Sequence, residues 1–146
     1  MPGFKLGECN ESGDALDCFR RNVEAQGGEP RVCDEPRQLL PLTDKAFKVE
    51  SARSGFVAAI DTEEIGNAIA EAGGGRVRVE DKIDPRVGFL AEVKIGDELK
   101  TGDLIGLVFC DQADPGAQAV ARIKAAYSVS DTRPSELPLL MKEVIE

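Results

Sequence analysis

From Ser12 onward the apolar positions follow a helical rhythm. Leu16, Phe19 and Val23 fall at i, i+3 and i+7 on one face. Ser12 or Asp14 can cap this helix, and Gly27-Gly28 stops it in the left-handed conformation that glycine tolerates. The stripe is narrow and the rest of the surface is charged, so the helix is expected to lie on a surface supplied from elsewhere. Arg31 to Cys33 reads as a short strand. Asp34 to Pro41, punctuated by Pro36 and Pro41, reads as a turn of helix in a linker. From Phe47 to Ser51 the period changes to two, as in a half-buried strand. Arg53-Ser54-Gly55 interrupts it, and Phe56 to Ile60 resumes it.

The clearest helix signal follows. Asp61-Thr-Glu-Glu64 has the capping-box form, with Asp61 as N-cap and Glu64 at N3. Ile65, Ala68, Ile69 and Ala72 then define one apolar face. Gly66 inside this helix costs roughly 1 kcal/mol relative to alanine. Its presence predicts close approach of another backbone. Gly73 to Gly75 end the helix. Asp81 to Pro85 is rich in turn residues, and strands are expected at 89–93 and 104–109. Between those strands lie the turns Gly96-Asp97 and Gly102-Asp103, around a short extended piece. Asp114 and Pro115 are read as cap and first residue of a third helix, with Val120, Ile123 and Tyr127 on one face. Tyr127 to Ser130 and Leu139 to Ile145 read as strands, with Pro134 and Pro138 marking a loop. Ser54-Gly-Phe-Val-Ala58 and Val87-Gly-Phe-Leu-Ala91 form a short internal echo. Helices and strands that mix without regular βαβ alternation predict an α+β fold.

Composition narrows the function. The chain has 146 residues, a 42% apolar fraction, a net charge of −9 and a pI near 4.6. That length fits one domain, or one domain with an attached piece. The acidity argues against a nucleic-acid surface, which needs clustered Lys and Arg, and against an anionic membrane. The first ten residues hold no signal-peptide core, and no apolar run approaches a membrane span, so a cytoplasmic location is expected. Histidine is absent, which removes every His-based triad or His general base from this chain. Cys9, Cys18, Cys33 and Cys110 form no C-x-x-C pair, and separate reduced thiols are favoured over a metal site or a disulfide framework.

Few residues invite chemistry. Gly73-Gly74-Gly75-Arg76 could cradle an anion through backbone N–H groups, with Arg76 adding charge. The loop follows a helix, whereas anion sites favour helix N-termini, so a C-cap and tight turn is preferred. Glu80, Asp81 and Asp84 are read as a solvated acidic loop in preference to metal ligands. Lys94 and Lys100, beside the Gly-Asp turns, are the candidates for a lysine carrying biotin or lipoate. Neither occupies the expected hairpin tip, and turns closing a small sandwich-like barrel are favoured. Arg20-Arg21 reads as an exposed pair.

A family resemblance adds to this. Gly55 to Gly66, Ala72-Gly-Gly-Gly-Arg76, Glu80-Asp-Lys-Ile-Asp-Pro-Arg-Val-Gly88 and Lys94-Ile-Gly-Asp-Glu-Leu-Lys-Thr-Gly102 occur in the order and spacing of the C-terminal domain of pyrimidine-nucleoside phosphorylases, which include thymidine phosphorylases. Ser12 to Phe19 and Ala25 to Gly28 resemble the helix that precedes that domain. Where this chain has Ala72-Gly-Gly-Gly-Arg76, family members usually have Leu-Gly-Ala-Gly-Arg. The resemblance implies an α/β-hammerhead-like domain with a small barrel-sandwich-like β portion over residues 43–146. Residues 1–42 would form the preceding helix and linker to a catalytic part. It implies a cytoplasmic parent enzyme, a homodimer, that cleaves thymidine or uridine with inorganic phosphate and no other cofactor. The products are the free base and (deoxy)ribose 1-phosphate. The family's phosphate segment, Lys-His-Ser-Thr-Gly-Gly, has no counterpart here, so the chain alone is expected to be inactive, with no catalytic or metal-binding residue. Gly73, Gly74, Gly75, Arg76, Lys82 and Asp84 are expected to face the substrate cleft and to move with its closure. A biotinyl- or lipoyl-like carrier, or a stand-alone interaction module, is the alternative.

Overall fold

A computed structural model describes residues 12–76 and 78–135. The chain divides into two compact units, 1–42 and 43–146. In the first unit, helix α1 spans Asp14–Ala25, a 3-10 turn spans Pro30–Cys33, and the single-turn helix α2 spans Pro36–Leu39. The N-cap of α1 is Gly13, in the left-handed region and with no side-chain cap; the Ser12 hydroxyl instead accepts from the Asp14 N–H. At the other end Gly27 has φ +77°, and the N–H groups of Gly27 and Gly28 bond to the carbonyls of Glu24 and Val23. This is the paired reversal by which a glycine satisfies the last carbonyls of a helix. The strand expected at Arg31 to Cys33 is a 3-10 turn. Pro30 presets φ, and the Glu29 carboxylate accepts from the Arg31 N–H. Arg20 is not a free surface charge, because its guanidinium grips Asp34 through two hydrogen bonds of 2.6 and 2.9 Å.

The second unit holds two three-stranded antiparallel sheets. One has the order β1 (Ala46–Glu50), β5 (Leu104–Phe109), β3 (Gly88–Ala91). The other has β4 (Glu98–Leu99), β2 (Gly55–Ile60), β6 (Tyr127–Ser130). Helix α3 (Thr62–Ile69) runs into a wide turn over Ala70–Gly74, and α4 (Ala113–Ala126) runs directly into β6. The architecture is α+β, as the sequence pattern predicts. The expected strand at Leu139 to Ile145 lies outside the described residues.

Two phenylalanines and two glycines set the packing of the first sheet. Phe47, Val49, Gly106, Val108 and Phe89 share its inner face by register. Gly106 lies against the Phe89 ring, and Gly116 of α4 lies against the Phe47 ring. The β1–β5 register shifts at Val49/Glu50 and leaves Ile105 as an extra residue on β5. That bulge turns Ile105 inward, where it is fully buried beside Val108 despite their odd spacing of three. Val49, Val57 and Ile123 complete the centre of the core, with Ala68 and Ala72 of the α3 face against it.

The Gly-Asp turns are a structural repeat. In Lys94-Ile-Gly-Asp97 the Lys94 N–H donates to the Asp97 carboxylate at 2.7 Å, and in Lys100-Thr-Gly-Asp103 the Lys100 N–H donates to Asp103 at 2.8 Å. Gly96 and Gly102 both take positive φ, 93° and 89°. Each turn then makes the same two-bond clasp. Val57 exchanges bonds with Asp97 and Gly96, and Ser51 does so with Asp103 and Gly102. One turn is thereby sewn to β2 and the other to the end of β1.

Other boundaries moved. The third helix starts at Ala113 with Gln112 as an N-cap that makes no side-chain bond, so Asp114 and Pro115 lie inside its first turn. Of the expected face, Ile123 and Tyr127 are buried and Val120 packs on the core; Gly116, Ala119 and Ala126 are buried as well, with Gly116 against the Phe47 ring. β3 ends at Ala91, two residues short of expectation. Gly66 has nothing within 4 Å of where a Cβ would sit. No backbone approaches it, and the close contact expected there is absent.

Candidate functional site

The glycine-rich loop is built on the end of α3. Asp61 caps that helix through the Glu64 N–H at 3.0 Å. The Glu64 side chain does not fold back to complete a capping box. It accepts a 2.6 Å bond from Arg122, which also reaches Glu71 at 2.8 Å. Arg122 thus ties α4 to both ends of the segment that delivers the loop. Its hydrogen bond holds the Glu64 carboxyl below its ordinary value.

At the far end Gly73 has φ +106° and breaks the helix. Its carbonyl accepts from the Asp84 N–H at 2.9 Å, which closes the excursion at its base. Gly74 is needed for a different reason. A Cβ there would meet the Val87 carbonyl at 2.9 Å and an Ile69 methyl at 2.8 Å. At Gly75 a Cβ would meet that of Ala70 at 2.8 Å. The three glycines therefore turn the chain and admit the returning 84–87 segment, the C-cap role preferred from sequence. They follow the negative end of the α3 dipole, which does not favour an anion.

Asp84 is committed to this turn. One carboxylate oxygen accepts from the Arg86 N–H and Nε, both at 3.0 Å, and the other from Arg86 Nη2 at 2.7 Å. Arg86 also reaches Asp111 at 3.1 Å. These bonds hold the Asp84 carboxyl below the usual carboxylate range and push the Arg86 guanidinium up. Asp81 likewise accepts from the Arg78 N–H at 2.7 Å. Arg76 and Lys82 are exposed and make no hydrogen bond or ion pair among the described residues. The structure thus brings Gly73 and Asp84 into direct contact and sets Arg76 and Lys82 on the exposed part of the loop. The clamp of Arg86 and Asp111 is the element sequence reading missed. Its signal was Asp84-Pro-Arg86, since aspartate often bonds the backbone two residues on. Among the described residues no group of three Cys, Asp or Glu is placed to hold a metal ion. Lys94 and Lys100 each open a Lys-x-Gly-Asp turn, and no feature favours a cofactor on either.

These features define an α+β module whose glycine loop is clamped at its base and carries three exposed cations, Arg76, Arg78 and Lys82, with no side-chain partner among the described residues. The chain belongs to the pyrimidine nucleoside phosphorylase C-terminal domain family, whose model matches residues 56–130. Among curated relatives it is 34% identical over 134 residues to a thymidine phosphorylase of Mesorhizobium japonicum, with 92% of this chain and 30% of that enzyme covered. A thymidine phosphorylase of Sinorhizobium fredii is 31% identical, with 92% of this chain and 31% of that enzyme covered. One of Rhizobium meliloti is 32% identical over 135 residues, covering 91% of this chain and 30% of the enzyme. The chain spans about three-tenths of the length of these relatives.

Proposed function

We propose that this chain serves as the C-terminal domain of a pyrimidine-nucleoside phosphorylase. The whole enzyme would cleave thymidine or uridine with inorganic phosphate, giving free base and (deoxy)ribose 1-phosphate. It would act as a cytoplasmic homodimer and need no cofactor beyond phosphate as co-substrate. The observation that carries this reading is a match to thymidine phosphorylases over about nine-tenths of the chain. The catalytic groups would come from polypeptide outside this chain, and this domain would complete and close the cleft. Closure keeps water from competing with phosphate at the sugar. In this reading Gly73 to Asp84 faces the cleft. The Arg86 clamp holds the loop's base rigid, while Arg76 and Lys82 are free to meet the closing part.

Sequencing the DNA immediately upstream of the codon for Met1 tests this. An open frame that runs on through several hundred residues and encodes a Lys-His-Ser-Thr-Gly-Gly segment supports the reading. A stop codon and ribosome site before Met1 overturn it for this polypeptide.

A further inference from the structure

A second feature of the 43–146 unit lies between the start of α3 and the segment that links β3 to β4. It is an open groove of about 460 Å³, within the range of small-molecule sites. Its walls are apolar: Ile60, Ile65, Phe89, Val93 and Ile95. All five are half-buried and packed on the core, so the walls are held by the fold. Three polar side chains interrupt them, Thr62, Lys94 and Tyr127.

The polar groups are uncommitted. Tyr127 is only 7% exposed, and its burial raises the phenol pKa. The phenol makes no hydrogen bond among the described residues, yet no buried side-chain oxygen is left without a partner. Its oxygen is therefore not fully sealed in the core, and Tyr127 lines the groove. Buried tyrosines ordinarily find a partner for that hydroxyl. Lys94 is the one charged residue of the lining, and its ammonium has no ion pair or hydrogen bond among the described residues. Its backbone is pinned in the Lys94-Ile-Gly-Asp97 turn. An ammonium offers donors and no acceptor, so it selects an anionic or accepting group. Of the carboxylates near the lining in sequence, Asp61 caps α3 and Asp97 accepts from the Lys94 N–H, while Glu92, two residues before Lys94, is exposed and makes no ion pair with it.

We propose that this groove is a binding site for a small amphipathic anion: an apolar body against Ile65, Phe89 and Val93, and one carboxylate-like group at Lys94 and the Tyr127 hydroxyl. This site is separate from the glycine loop and does not depend on the phosphorylase reading.

The test is a titration of the isotope-labelled 146-residue chain with 4-phenylbutyrate, and separately with the neutral 4-phenylbutan-1-ol, read by amide chemical shifts. Saturable shifts are expected at Ile60, Ile65, Val93, Lys94 and Ile95. Lys94→Met should weaken the carboxylate roughly tenfold, the scale of a charge-assisted hydrogen bond. It should leave the alcohol unaffected. Lys48→Met, which removes an exposed cation from β1, should change neither. The Lys94 side chain makes no hydrogen bond or ion pair among the described residues and methionine keeps an unbranched apolar stem, so the variant should keep the wild-type spectrum elsewhere. Shifts that stay linear and spread over the surface overturn the proposal, as does equal carboxylate affinity in Lys94→Met and wild type.

Discussion

Two glycines of this chain should respond to alanine with opposite signs. Gly106 sits in the central strand of its sheet, paired with Val49 on one side and Ala91 on the other. A Cβ there would lie 2.4 Å from the Leu90 carbonyl oxygen and 2.5 to 2.6 Å from the Phe89 ring. The ring can tilt, but the carbonyl belongs to the β3 ladder and can move only by loosening that pairing. Overpacking a core costs roughly 1–3 kcal/mol, and a backbone obstacle puts this case at about 3. Loss of glycine's unfolded-state freedom returns roughly 0.5–1 kcal/mol. The net destabilisation is therefore about 2 kcal/mol. With a urea slope of roughly 1–3 kcal/mol per molar, the midpoint should fall by about 1 M. Gly66→Ala has no such obstacle, since nothing lies within 4 Å and the position is an exposed helix interior. It should stabilise by roughly 0.5–1 kcal/mol and raise the midpoint. Urea melts followed by far-UV circular dichroism measure both. A Gly106→Ala midpoint equal to wild type, or a Gly66→Ala midpoint below it, refutes the packing argument.

Other outcomes follow from the same contacts. Asp61→Ala removes the cap of α3 and should cost about 1 kcal/mol in the same melts, while Asp61→Asn should recover most of it. Ile123 is fully buried, and Ile123→Ala should cost about 2–5 kcal/mol; a loss under 1 in a calorimetric melt contradicts its central place. Arg122 holds Glu64 below its ordinary value of 4.5, so that contribution is complete above 4.5 and is lost as pH falls through the lowered value. Arg122→Met should therefore flatten the acid side of a melting-temperature profile, and parallel profiles count against it. In a full-length enzyme carrying this domain, Arg76→Ala should alter phosphorolysis kinetics, and unchanged kinetics remove the loop from the cleft.

Much of this fold was legible where one local rule acted alone. Asp61 as cap, Leu104 to Phe109 as strand and Gly27 as helix stop each rest on a short-range preference that the structure keeps. The misses came where a neighbouring side chain or a contact distant in sequence decides. Pro30 and the Glu29 carboxylate override the strand-like reading of Arg31 to Cys33. The face of α4 with Val120, Ile123 and Tyr127 was legible, whereas the burial of Gly116 was not, because the Phe47 ring that covers it is far away in sequence. A bulge turns Ile105 inward against the strand period. The Gly-Phe echoes do not mark the structural repeat, since Gly55 and Gly88 sit in unlike surroundings. It resides in the Lys-x-Gly-Asp turns, where a backbone clasp matters more than side-chain likeness. At the glycine loop, the C-cap role was readable from Gly73 to Gly75. The bond of Arg86 to Asp84 had a local signal in Asp84-Pro-Arg86, but its pairing with Asp111 had none, because Asp111 is brought in by tertiary structure.

In the role proposed for it, as the C-terminal domain of a pyrimidine-nucleoside phosphorylase, this chain should support catalysis once joined to a catalytic part. Splicing it in place of the matched C-terminal part of the Mesorhizobium japonicum thymidine phosphorylase tests that most directly, with phosphate-dependent thymine release from thymidine as the readout. The account predicts no release by the 146-residue chain alone and clear release by the spliced enzyme. Release by the chain alone contradicts it, as does a spliced enzyme that folds, binds phosphate and thymidine, and releases no thymine.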